Sequence, residues 1–312
     1  MRLNLFSFSS SKREIRNTNL KMKFMKTRYF IMVAAATMIT LFSCQKDTPL
    51  LDEEVMNLAD DDAVSEAVFE DIFSTVDNAS IIAEGSGKGE DSKSGTEVFA
   101  DSCPTITVTR PGPALWPKKI TVDYGTGCAG INDNVRKGKI VIEVTAPRLE
   151  AGAKRTVTFV DYYFNDIKVE GTKVLETVGF NSNQHLVVSV KLTGGKLILP
   201  DGKTIEREVN HQREWIAGLV TRNIWDDECL VSGTASGIDI KGIEYTNTIM
   251  TALHWTRACR FIVSGVIKIE RGDAQPVMID FGTGDCDAKA IVTRGDESKE
   301  ITLKNRHRMW NN

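Results

Sequence analysis

The amino-acid sequence predicts an all-β body over residues 103–312, an antiparallel sandwich, barrel-like fold or meander of about a dozen strands, preceded by a leader and an acidic helical spacer. Two patterns carry the β assignment and a third sets the spacer apart. From Cys103 onward, short stretches rich in β-branched residues alternate apolar and polar side chains, which suits a pleated surface buried on one face. Glycine- and proline-bearing turns separate them, with no helix-period run between. Between Asp52 and Glu84, by contrast, apolar residues recur every three or four positions, the period of a helix.

Charge divides the chain in the same places. Residues 1–44 hold 8 Lys and Arg against 1 acidic residue, residues 45–102 hold 3 against 16, and residues 103–312 hold 28 against 25. The net charge of −3 argues against a nucleic-acid partner, which calls for a basic surface. With 41% hydrophobic residues the chain has the composition of a globular protein, and 103–312 is long enough to bury a core as one domain or two.

Residues 1–44 read as a leader. Met25-Lys-Thr-Arg28 is cationic and Tyr29–Phe42 is apolar, the order of a secretory signal. The apolar run is shorter than the roughly 20 residues a membrane helix needs. Met1–Phe24 is polar and basic, so the initiator is placed at Met22 or Met25. Leu41-Phe-Ser-Cys44 resembles the lipobox of bacterial lipoproteins, and the resemblance implies cleavage before Cys44 and acylation of its thiol. Gln45-Lys46-Asp47 and Asp52-Glu53-Glu54 resemble the acidic export signal of surface-exposed lipoproteins of Bacteroidetes-type bacteria. The implied location is the outer membrane or cell surface, with the periplasmic face as the alternative and the lipid at Cys44 as the membrane contact.

Within 45–102, Val55, Leu58, Val64, Val68, Phe69, Ile72, Phe73 and Val76 form an apolar stripe on a helix interrupted near Asp60-Asp-Asp62. The stripe needs a partner, either the β body or a second chain. Gly85–Gly95 follows as a Gly/Ser-rich linker without the spacing of a phosphate-binding loop. The whole segment reads as a spacer separable from the fold.

The strands include Thr105–Thr109, Lys139–Val144, Arg155–Phe159, Leu186–Leu192, Phe261–Ile269 and Lys299–Leu303, with a hairpin at Leu197–Ile205 turning on Asp201-Gly202. Lys119-Ile-Thr-Val-Asp-Tyr-Gly-Thr-Gly-Cys128 is echoed by Val277-Met-Ile-Asp-Phe-Gly-Thr-Gly-Asp-Cys286, each with a cysteine upstream, Cys103 and Cys259. An exported protein meets an oxidising compartment. The repeat therefore pairs Cys103 with Cys128 and Cys259 with Cys286, each disulfide contributing about 3 kcal/mol in the chain-entropy picture. The crossed pairing, Cys103–Cys286 with Cys128–Cys259, is the alternative. Cys229 is left as the odd thiol.

Cys103–Thr109, Asp123–Cys128, Val169–Lys173, Leu199–Ile205 and Gly233–Gly237 together resemble a family of Bacteroidetes-type lipoproteins without an established activity. The resemblance covers residues 103–304. It implies the anchor and the β body and transfers no catalytic residue.

The search for chemistry yields little. His185, His211, His254 and His307 are scattered, so no metal site or cofactor is expected. No Gly-x-Ser-x-Gly elbow occurs, and Gly233-Thr-Ala-Ser-Gly237 reads as a closely packed strand. The candidate ligand residues are Trp225, Asp226 and Asp227 in one loop and Trp116 after another, since indoles beside carboxylates suit stacking and hydrogen bonding to a glycan. A core role for the same tryptophans is the competing expectation. The function expected is a non-catalytic binding or structural module with a glycan or protein partner. A secreted hydrolase and an envelope assembly subunit docking through the acidic helix are the alternatives.

Overall fold

The computed structural model describes residues 53–85, 96–100, 103–130, 134–221, 224–259 and 261–303. The leader and Cys44 lie outside the described residues. The described chain is one helix, α1 (Glu53–Gly85), and fifteen strands of a single antiparallel sheet. The sheet opens with β1 (Thr96–Ala100), β2 (Thr105–Thr109), β3 (Lys118–Asp123), the short β4 (Cys128–Ala129) and β5 (Val135–Val144). Its long middle is β6 (Lys154–Phe164), β7 (Ile167–Phe180), β8 (Leu186–Ile198), β9 (Thr204–Ala217), β10 (Glu228–Ile238) and β11 (Glu244–Thr256). It ends with β12 (Ser264–Arg271), β13 (Val277–Thr283), β14 (Lys289–Arg294) and β15 (Glu297–Thr302). Strands pair in chain order, with β4 set aside on β5, so the topology is a meander that does not close into a barrel.

Local chemistry explains the turns and the curl. At the β8–β9 hairpin, Gly202 takes a φ of +84° while Asp201 Oδ1 accepts the Lys203 amide at 3.0 Å. Register shifts in the pairings of β5–β6, β6–β7, β7–β8 and β8–β9 mark bulges, which bend strands and increase their twist. In Gly233–Gly237 the backbone of Asn210 and Glu206 on β9 fills the space a Cβ would need at either glycine, so that strand is packed as closely as its small residues suggest.

The curled sheet wraps α1. Val64, Val68, Phe69, Ile72, Phe73, Val76, Ala79 and Ala83 enter the main core with Val108, Ile120, Ile142, Val157, Leu175, Val188 and Trp215. A second cluster joins Val55 to Val231, Leu253, Ile269, Ile279 and Val292 from β10 to β14. Two expectations are corrected. The helix runs unbroken through Asp60-Asp-Asp62, because Asp62 is not a solvated breaker but the ion-pair partner of Arg207 on β9. Nor is 45–102 a separable spacer, because the body's core is built on the apolar stripe of α1 and the sheet already begins with β1, Thr96 facing Thr109. No helix among the described residues is long and apolar enough to cross a membrane.

Cys103–Cys128 and Cys259–Cys286 are disulfides with Cα separations of 5.6 and 5.7 Å, the parallel pairing and not the crossed one. They flank the β2–β3 and β12–β13 hairpins, so the sequence echo marks matching units toward the two ends of the meander. Cys229 is buried and reduced.

A chain starting at Thr96 is expected to lose cooperative melting. Each large apolar side chain of α1 withdrawn from the core forfeits about 1.5–3 kcal/mol, and several together exceed the roughly 5–15 kcal/mol by which domains are stable. Circular dichroism melting checks this, and a truncated chain melting cooperatively at the full chain's temperature would contradict it.

Candidate ligand-binding cavity

Strand alternation places a cation on the inner face of strand after strand. Lys118 is in step with Ile120, Arg136 with Ile140, Arg155 with Val157, Lys173 with Leu175, Arg207 with Ile205 and Arg213 with Trp215. On the helix, Asp62, Glu66 and Glu70 follow at intervals of four residues and therefore share a face. The two sets meet. Arg207 donates to Asp62 Oδ1 at 2.6 Å through Nη1 and to Glu66 Oε2 at 2.8 Å through Nη2. Arg213 reaches Glu70 at 3.1 Å, Arg155 reaches Asp77 at 2.9 Å, and Arg136 Nε reaches Asp71 at 2.9 Å. The buried lysines donate instead to helix carbonyls, Lys173 to Phe69 at 2.7 Å and Lys118 to Ala83 at 2.5 Å. Phe73 adds a ring face to Arg213, whose guanidinium lies 4.0 Å from its centroid.

These surroundings shift the titrating groups. Burial alone would raise the Glu66 carboxyl, but the positive charges around it, Arg207 foremost, outweigh that and hold it at about 2. Burial pushes the Lys173 ammonium down to about 8 despite the neighbouring Glu70. Burial also pushes the His211 imidazole down to about 4, with Arg207, Arg213 and Lys173 opposing the help of Glu66.

Beside this row lies a cavity of about 790 Å³. One wall is the helix from Glu70 to Ala79. The opposite wall comes from Trp215, the loop and strand start carrying Trp225, Asp227, Glu228 and Cys229, and the end of β11 with Trp255 and Arg257. The first disulfide unit closes a third side with Ile106, Val122 and Tyr124. Most charged groups on this lining are already engaged: Glu70 with Arg213, Asp71 with Arg136, Asp77 with Arg155, and Glu228 with His254 Nε2 at 2.8 Å. Arg257 Nη1 donates to Ser74 Oγ at 2.7 Å. Burial, and after it the charge of Asp77, raises the Asp227 carboxyl from its ordinary value, with the positive charge of Arg257 opposing. Burial likewise pushes the Cys229 thiol up to about 11, the opposite of an activated nucleophile. Among the described residues no group of three or more His, Cys, Asp or Glu could hold a metal ion.

The four ligand residues expected from sequence separate. Trp225 and Asp227 come together on the cavity, Trp225 standing 54% exposed on a single 3-10 turn, Ile224–Asp226. Asp226 turns to Thr221, whose hydroxyl it accepts at 2.7 Å. Trp116 packs against the main core, with the Lys118 ammonium 4.4 Å from its ring centroid. Tyr162 and Phe164 are buried, and Tyr163 lies on the other face. Sequence reasoning missed Arg257, Ser74, Trp215 and Trp255. It also missed the inward cations, although charged residues in phase with core positions on strand after strand are a readable signal. Comparison of the chain with protein-family models, with curated proteins and with solved structures gave no match.

Two outcomes follow. Arg213→Met strands Glu70 in the interior and should cost about 3–5 kcal/mol in denaturant unfolding, whereas Arg213→Met with Glu70→Leu should cost much less. The lowered His211 value means the unfolded chain binds more protons between about pH 4 and 6.5, so stability rises with pH across that window. His211→Gln should flatten that slope, which is worth roughly 3 kcal/mol in full; an unchanged slope in pH-dependent melting would show that other groups cause it.

Proposed function

We propose that this chain is a lipid-anchored protein of the cell envelope that acts as a non-catalytic binding module, its ligand held in the cavity between α1 and the sheet. The observation that carries the reading is the cavity itself: a concave space of about 790 Å³ with three indoles and a few convergent polar groups on its lining, the usual make-up and size of a small-molecule site. It is built on rigid elements, since α1 is fixed by buried ion pairs and one rim is pinned by Cys259–Cys286. The anchor is supported by the cationic, apolar and cysteine order of residues 25–44.

The competing readings fare less well on particular grounds. Docking of an assembly partner through the helix needs a free apolar stripe, and the stripe of α1 is consumed by the body's own core. Hydrolysis by cysteine needs a thiolate, and Cys229 is buried and weakly acidic.

Fatty-acid labelling should mark the wild-type chain and not Cys44→Ala; label retained by the variant, or never acquired, would refute the anchor. A ligand panel of sugars, amino acids and organic acids screened by thermal shift should give a binder that Ala258→Phe, which adds bulk to the cavity lining, abolishes. Binding indifferent to Ala258→Phe would refute the cavity as the site.

A further inference from the structure

The cavity's charges, cancelled pair by pair, leave two groups that face its space without an ion-pair partner among the described residues: Asp227 and Arg257. Resting on the cavity reading, we infer that the ligand is a saccharide, its adjacent hydroxyls held between the Asp227 carboxylate and the Arg257 guanidinium and a ring face laid on Trp225.

The two groups are neighbours by construction. The Arg257 amide donates to the Asp227 carbonyl at 2.8 Å, so the side chains leave from adjacent points of two chain segments. Ser74 on α1 takes one arm of the guanidinium and orients the rest. A carboxylate only accepts hydrogen bonds and a guanidinium only donates them. A simple anion is opposed by Asp227 and a simple cation by Arg257. A hydroxyl both donates and accepts, and a pair of adjacent hydroxyls answers both groups at once. The half-buried Asp227 gains most from such donors, because burial has raised its carboxyl and no side-chain hydrogen bond among the described residues relieves it.

A free amino acid also carries one group of each sign, but two features favour a sugar of a few rings. The space, about 790 Å³, is far larger than one amino acid fills. It also presents indole surface at Trp225, 54% exposed, whereas Trp215 and Trp255 back the lining from the core. The negative face of an indole attracts the weakly positive C–H hydrogens that one side of a sugar ring presents.

The full chain is tested on an array of neutral oligosaccharides and, in parallel, by titration with free amino acids and short carboxylic acids. Saccharide binding is expected, abolished by Ala258→Phe and weakened about tenfold or more by Asp227→Ala and by Arg257→Met, the loss typical of a hydrogen bond to a charged group. Trp225→Ala, at an exposed position that leaves the core intact, should weaken it as well, and near-ultraviolet circular dichroism confirms that each variant is folded. Saccharide binding that survives Asp227→Ala, Arg257→Met and Trp225→Ala would overturn the inference, as would the absence of any saccharide binding. A binder that Ala258→Phe abolishes but that is an amino acid or a simple anion would overturn the saccharide assignment alone and leave the cavity reading standing.

Discussion

Five carboxylates on one helix, Asp62, Glu66, Glu70, Asp71 and Asp77, meet four guanidinium groups, Arg136, Arg155, Arg207 and Arg213, on the inner face of a curled sheet. Each partner is costly to bury alone. A buried pair contributes little net stability against an apolar substitute, yet losing one member costs about 3–5 kcal/mol because the other remains as an uncompensated charge. Sheet and helix are therefore conditional on each other. Phe73 joins the apolar and ionic layers, packing in the core while its ring covers Arg213.

Position along the helix also follows from this row. An apolar stripe could slide by a turn and still find apolar neighbours, and Asp62, Glu66 and Glu70 could exchange places along it, whereas a shift of one turn would take Asp71 and Asp77 away from Arg136 and Arg155 with no carboxylate to replace them. Fixing that register fixes which helix residues face the space under Arg257 and Trp225. Ser74 and Asp77 belong to the cavity because Glu70 and Asp71 are held one turn earlier. The ion pairs place the side chains of the candidate site, with the disulfides securing the hairpins toward the two ends of the meander.

Much of the fold is legible in the sequence because its cause is local. Alternation and turn residues mark the strands, Asp201-Gly202 specifies its hairpin, and the repeated Asp-aromatic-Gly-Thr-Gly segment selects the disulfide pairing. The role of α1 was only half legible. Its stripe asked for a partner, but 16 acidic residues in 45–102 read as solvation, since a sequence does not say that its carboxylates face cations more than a hundred positions away, as Glu66 faces Arg207. Of the candidate site, Trp225 and Asp227 were visible as an indole beside a carboxylate. Arg257 carried no local signal: it is set apart by forming, among the described residues, no ion pair such as Arg136, Arg155, Arg207 and Arg213 form, a difference that exists only once the chain is folded.

Native-state hydrogen exchange, resolved by residue, tests the dependence of sheet on helix most directly. If α1 and the sheet form one cooperative unit, the amides of Val68 to Val76 should exchange only through global unfolding, with the same free energy and denaturant dependence as those of β6 to β9. Exchange of the helix through a separate opening of much lower free energy, with the strand amides still protected, would contradict the account.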